Sequence, residues 1–216
     1  MVLLQVALDL TDLDKAIKIA SKVVDVCDHN RLLIEAGTPL IKSWGVAAVR
    51  KLAQSFSDIP IVADMKTIDA GAVETELALK SGAKFTTVLA LASNETVTAV
   101  VTTAHKLRGM VIGDLICVEK KLERAKELYN MGIDTICFHV PIDVQNAKRV
   151  NVNEVLRQIQ RLRELPRVKI AVAGGITPET ASLYSSAGVD ILIVGRYIYA
   201  APDPSEAALK LVERIK

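Results

Sequence analysis

Aromatic residues are scarce in this 216-residue chain, only 4% of the total. The scarcity argues against a platform on which nucleic-acid bases stack. An excess of one charge is lacking as well. The chain has 27 Lys and Arg against 25 Asp and Glu, a formal net charge of +2, which gives no electrostatic footprint for nucleic acid. The basic residues are spread over segments with helical spacing, and the short Arg157–Arg167 stretch reads as a solvated helix face. Cysteine is limited to Cys27, Cys117 and Cys137, an odd number with no Cys-x-x-Cys pair. Neither a disulfide framework nor a thiolate zinc site is expected, and free thiols suit a reducing cytoplasm. No apolar run approaches the roughly eighteen residues of a membrane span. The N-terminus enters a strand directly, without the basic region and small-residue cleavage site of a signal peptide. The expectation is a cytoplasmic protein with no nucleic-acid and no membrane partner.

Half the residues are hydrophobic and 24% are charged, enough for one globular domain over residues 1–216 with a full core. A rhythm of short apolar run, turn and helix-period stretch recurs eight times. The runs are Leu3–Leu8, Arg31–Ile34, Ile59–Ala63, Phe85–Leu89, Met110–Leu115, Thr135–Val140, Val168–Ala173 and Ile191–Val194. Helical spacing follows each, as at Leu13, Ile17, Ala20 and Val24. Gly82, Gly132 and Gly188 fall where a helix should stop before the next strand. Continuous apolar strands alternating with amphipathic helices imply parallel strands covered on the outside. The pattern predicts the α/β class and a single-domain (β/α)₈ TIM barrel. A doubly wound sheet would carry glycines in its first turn, and Asp9-Leu10-Thr11-Asp12 has none.

The most informative stretch is Asp64-Met65-Lys66-Thr67-Ile68-Asp69-Ala70-Gly71, three charges in six residues directly after an apolar strand. An unpaired buried ion costs several kcal/mol, roughly speaking, so such a cluster at a strand end reads as a site. Alternation puts Asp64 and Lys66 on one face, and Asp69 lies past the strand end. In a barrel the active site collects at the carboxyl ends of the strands. Those ends carry Asp9, Glu35, Asp64, Asp114 and His139, with Gly174-Gly175 after the seventh run and Gly195-Arg196 after the eighth. Each alone has a bland explanation: Asp9 as a helix cap, His139 as a core histidine, Asp114 as a strand terminator. Their recurrence at one rim favours a catalytic mouth. The two glycine turns suit phosphate, through backbone N–H groups and the Arg196 guanidinium. Glu35 and Asp64 on adjacent strands suit a hard cation, Mg²⁺ with Mn²⁺ possible. A carboxylate–lysine network without metal fits their spacing equally well.

These residues carry a resemblance. Gln5–Asp9, Ile34–Ser43 with its Glu-Ala-Gly-Thr-Pro block, Val62–Gly71, Arg124–Leu128, Ile136–Val140 and Val172–Ile176 resemble the orotidine-5′-phosphate decarboxylase suprafamily over nearly the whole chain. Within it the wording is most similar to the archaeal 3-hexulose-6-phosphate synthases. The resemblance implies a Mg²⁺-dependent aldol reaction, in which ribulose 5-phosphate loses a proton from carbon 1 and a metal-stabilised enediolate adds to formaldehyde, or the reverse cleavage. It implies Glu35 and Asp64 as metal ligands, Lys66 stabilising the enediolate, His139 as proton-transfer base, and Asp9 holding substrate hydroxyls or orienting Lys66. Thr38, Gly174, Gly175, Gly195 and Arg196 are implied as substrate and phosphate contacts. Asp69 is implied to reach across the interface of a homodimer with shared active sites. Two positions depart from the synthase pattern: Pro141 stands where Gly is common, and Gly195-Arg196-Tyr197 stands where Gly-Gly-Ala is common. Arg at that point is more typical of the 3-keto-L-gulonate-6-phosphate decarboxylases, the alternative reading. A non-catalytic sugar-phosphate sensor is a third.

Overall fold

In the computed structural model, which describes residues 1–147, 151–163 and 168–215, eight strands close a barrel in chain order. They are β1 (Leu3–Leu8), β2 (Leu32–Ala36), β3 (Ile61–Thr67), β4 (Phe85–Leu89), β5 (Met110–Asp114), β6 (Thr135–His139), β7 (Lys169–Ala173) and β8 (Ile191–Val194). Every neighbouring pair is parallel, β8 returning to β1 through Leu3↔Ile191 and Val6↔Val194. This is the expected (β/α)₈ barrel; β1, β4 and β8 coincide with their apolar runs, and the bounds of the other five strands differ from theirs by up to four residues. Arg31 falls in a short 3-10 turn, His29–Arg31, rather than in β2. The expected basic helix face covers Arg157, Arg161 and Arg163, all exposed; residues 164–167 lie outside the described residues.

Alternation along the strands separates two cores. Leu4, Val6, Leu8, Ile34, Ala63, Val111, Phe138, Val172 and Leu192 face outward into the layer beneath the helices. Leu33, Val62, Phe85, Ile112, Cys137, Ala171, Ala173 and Ile191 pack against one another inside the barrel. Two residues beyond the inner residues of five strands come Glu35, Asp64, Thr87, Asp114 and His139. Period two keeps them on the same inner face. The interior therefore changes from apolar to polar toward the carboxyl end of the strands.

Local chemistry sets the helix boundaries. Helix Leu13–Val24 is capped by Asp12, whose carboxylate accepts from Lys15 N–H at 2.9 Å. That frees Asp9 from capping duty. Gly82, Gly132 and Gly188 end their helices at φ of 103°, 88° and 84°, a region that glycine enters without a Cβ clash. Pro141 immediately precedes helix Ile142–Ala147, where its missing N–H deprives the helix of nothing. No helix among the described residues is long and apolar enough to cross a membrane.

Candidate active site

Strand β3 runs four residues further than its apolar run, and it does so irregularly. Its register with β4 shifts between Ala63 and Thr67, and Lys66 sits at φ 46°. Non-glycine residues in the left-handed region cost on the order of 1–3 kcal/mol and cluster at functional sites. The Lys66 N–H is spent on Thr87 Oγ1 at 2.8 Å, which anchors the bulge to β4. The result turns the Lys66 ammonium onto the Asp64 carboxylate, where the two form an ion pair. Strict alternation predicts the shared face; the bulge is what brings the charges into contact.

Asp64 is buried and holds three side-chain partners. Beside Lys66, it accepts from Thr38 Oγ1 at 2.6 Å and from Thr87 Oγ1 at 2.8 Å. Burial raises its pKa, but Lys66 and these hydrogen bonds outweigh burial and lower it. For Lys66, burial works against the charge, and Asp64, Glu35 and Asp114 overcome it, so the pKa is pushed up. Lys66 is therefore an ammonium donor, not a free amine. Glu35 is buried and accepts from Gln5 Nε2. Desolvation, then Asp64 and Asp9, push its pKa well up. Asp9 is open to the cavity, yet the surrounding protein strips enough water to raise its pKa, reinforced by Asp64 and offset by Lys66 and His139.

Asp9, Glu35 and Asp64 each offer an oxygen, and the three oxygens lie within 4.8 Å of one another. The set is all carboxylate, with no soft ligand; burial, and then repulsion among its members, raises the pKa values of Glu35 and Asp9. Such a cluster fits a hard divalent cation with oxygen coordination. The sequence reading named Glu35 and Asp64; the structure adds Asp9. The signal for Asp9 was its position one residue past β1. Gly37 and Gly195 make room for it: a Cβ on Gly37 would stand 2.3 Å from Asp9 Oδ1, and one on Gly195 would stand 3.2 Å from Oδ2.

His139, at the end of β6, places Nδ1 2.8 Å from Asp114 Oδ2 at the end of β5. The other Asp114 oxygen accepts from Ile116 N–H at 2.9 Å, so the carboxylate is held in place. This pairing fixes the proton on Nδ1 and presents Nε2 as the working nitrogen. In the sequence alone Asp114 also fits a strand terminator. Its role depends on β5 and β6 being neighbours.

A cavity of about 320 Å³ joins these groups to the glycine turns. Asp9, Glu35, Asp64, Lys66 and His139 line one part of it, and Gly174, Gly175, Gly195 and Arg196 another. Gly174 and Gly175 have φ of 96° and 69°, and a Cβ on Gly174 would strike the Val140 carbonyl at 2.3 Å. Arg196 contacts Asn146 Oδ1 at 3.3 Å from its exposed position. Ile142, Gln145 and Tyr199 also line the cavity; nothing in their spacing singled them out. Thr38 does not line it; its hydroxyl is engaged by Asp64 and Lys66. Asp69 is exposed on the turn after β3 and is likewise outside the lining. One end of the cavity thus concentrates carboxylates, an ammonium and a fixed imidazole, and the other offers backbone and guanidinium donors. That division suits a small anion-tailed substrate that exchanges a proton at its other end.

Residues 3–211 match the model of the orotidine 5′-phosphate decarboxylase / HUMPS family. A 3-hexulose-6-phosphate synthase of Staphylococcus aureus is 38% identical over 205 residues, covering 95% of this chain and 94% of the relative. A crystal structure of a 3-hexulose-6-phosphate synthase superposes with a TM-score of 0.91 at 35% identity, covering 99% of both chains. A 3-keto-L-gulonate-6-phosphate decarboxylase from Vibrio cholerae superposes with a TM-score of 0.86 at 30% identity, covering 99% of this chain and 96% of the other.

Proposed function

The chain belongs to the orotidine 5′-phosphate decarboxylase / HUMPS family and is a lyase, and from that premise we propose that it joins formaldehyde to D-ribulose 5-phosphate. The product is D-arabino-hex-3-ulose 6-phosphate, and the same site supports the reverse cleavage. The observation that carries this reading is the convergence of the Lys66–Asp64 pair and the His139–Asp114 pair on one cavity with an anion-binding end.

The phosphate lies against Gly174, Gly175, Gly195 and Arg196, which leaves carbons 1 and 2 toward Lys66 and His139. His139 Nε2 removes a proton from carbon 1, and negative charge develops on the substrate oxygens. The Lys66 ammonium, already oriented by Asp64, stabilises that charge; one preorganised donor of this kind is worth about 3 kcal/mol. Carbon 1 then forms a bond to the formaldehyde carbon, and His139 returns its proton to the former aldehyde oxygen. Asp9, Glu35 and Asp64 are the residues that would hold Mg²⁺, or Mn²⁺ in its place. A bound divalent cation supplies a Lewis acid for oxyanion charge. Thr38 orients Asp64.

The decarboxylase reading keeps the same proton-transfer groups, and the Arg196 side chain in the cavity favours it. The two are separated by following ribulose 5-phosphate with purified protein, with and without formaldehyde, in Mg²⁺ or EDTA. Formaldehyde- and metal-dependent consumption is expected. Carbon dioxide release from 3-keto-L-gulonate 6-phosphate, without that consumption, would replace the aldol reading.

The working unit of this reading is a homodimer. Asp69 does not line the cavity of its own subunit, and it is flanked by large apolar groups. Ile68, Val73 and Leu77 are 51%, 62% and 48% exposed. A second copy covering this face would bury them and bring Asp69 to the neighbouring site.

A further inference from the structure

Below the substrate cavity the barrel interior contains a second, smaller space of about 30 Å³. Gln5, Thr87, Ile112, Asp114 and Cys137 line it and do not line the large cavity. Asp64, Lys66 and His139 line both. The space therefore opens at the groups that carry out the proton transfer, and away from the glycine turns. Two of its walls are small residues: Cys137, level with Asp114 on β5, and Ala173, level with Ile193 on β8.

Its size limits its contents. A single water needs roughly 10–15 Å³ of such space, so it holds about two waters or one small molecule of similar size. Its polarity is specific too. Gln5 is fully buried, its Nε2 donates to Glu35, and its Oε1 has no hydrogen-bond partner. A buried acceptor left unpaired costs about 1–3 kcal/mol, so a hydroxyl-bearing occupant of this space gains a partner in Gln5 Oε1.

We propose that this inner pocket is the one-carbon subsite, holding formaldehyde before the bond forms and the new hydroxymethyl group afterwards. The inference rests on the aldol reading above. Formaldehyde, one carbon and one oxygen, is small enough for that space. With the phosphate held at the glycine turns, the inner pocket borders Lys66 and His139 and none of those glycines, which puts it at the carbon 1 end of the proposed substrate. Formaldehyde has no hydrogen to donate and leaves Gln5 Oε1 unpaired. Once carbon 1 has added and the His139 Nε2 proton has moved to the aldehyde oxygen, the resulting hydroxyl donates to Gln5 Oε1. Gln5 thus interacts with the adduct and not with the free aldehyde, which is differential binding along the reaction coordinate. The pocket also sets specificity. Larger aldehydes carry a third heavy atom that meets Ile112 and Cys137.

Two substitutions test this, because proton exchange at carbon 1 needs no aldehyde while condensation does. Cys137→Val fills the pocket, and Ile112→Val enlarges it by one methylene. A methylene of pocket space is worth about tenfold or more in discrimination. For Cys137→Val, exchange of the carbon 1 proton of ribulose 5-phosphate into D₂O is retained, and condensation falls about tenfold with a raised KM for formaldehyde. For Ile112→Val, acetaldehyde use relative to formaldehyde rises by a similar factor. Ile112→Val carries the test alone should Cys137→Val fail to fold. Unchanged formaldehyde KM in the first and unchanged aldehyde preference in the second would overturn the assignment and leave the pocket holding water only. Wild-type protein showing neither exchange nor condensation would instead remove the aldol reading, and this inference with it.

Discussion

A histidine that takes a proton and later returns it must present the same nitrogen both times. Asp114 enforces this by holding Nδ1 at 2.8 Å while Ile116 N–H pins the carboxylate from the other side. Asp114→Asn retains the size and removes the charge, so either tautomer becomes acceptable. We expect kcat to fall on the order of 10²- to 10³-fold with ribulose 5-phosphate affinity little changed. The check is steady-state kinetics together with carbon 1 proton exchange. An equal loss in KM and kcat would mean that Asp114 acts on binding instead. The residue types at the rim were legible in the sequence, because charged and imidazole side chains at apolar strand ends have few packing explanations. Their pairings were not. Asp114 and His139 are 25 positions apart, and only the neighbouring of β5 and β6 makes them one unit. Thr38 shows the same limit: its hydrogen bond to Asp64 joins positions 26 apart on different elements.

At the scale of elements, the loops after β1, β2 and β8 are fitted to one another around a single carboxylate. Gly37 has an ordinary φ of −64°, so what excludes a larger residue there is contact and not backbone conformation. Gly37→Ala would put a methyl group 2.3 Å from Asp9 Oδ1 and 2.9 Å from the Leu8 carbonyl. Overpacking of this kind costs about 1–3 kcal/mol. Thermal melting should register that loss, and calorimetric titration of Mn²⁺ should show weaker binding as Asp9 is displaced. Undiminished Mn²⁺ affinity would take Asp9 out of the cation site. The strands and their order were readable from apolar runs because burial on both faces leaves little else in the sequence. The bulge in β3 was not readable. Nothing in Met65-Lys66-Thr67 resembles the glycine that usually marks a left-handed residue, and the conformation is held by Thr87 from the next strand.

For the whole molecule, closure of the barrel was legible in the count of eight apolar runs, and assembly was visible only as an exposed apolar face around Asp69. Shared sites make a specific prediction. Asp69→Ala and Lys66→Ala are each inactive as pure proteins, since each removes one member from every site. When the two are unfolded and refolded together, one site in each mixed dimer recovers both wild-type residues, and about a quarter of wild-type activity returns. No recovery, with mixed dimers present by native mass spectrometry, would confine Asp69 to its own subunit.

The alternation inside the barrel also matters for anyone who would remake it. Catalytic and packing residues occupy the same strands two positions apart, so a library drawn over the polar positions leaves the apolar ones intact, and the scaffold can be re-targeted without being rebuilt. Ile112 and Cys137 are the exceptions. They belong to the packed interior and also form the walls of a reactant-sized space, so any re-targeting toward longer aldehydes meets the folding problem at those two positions first.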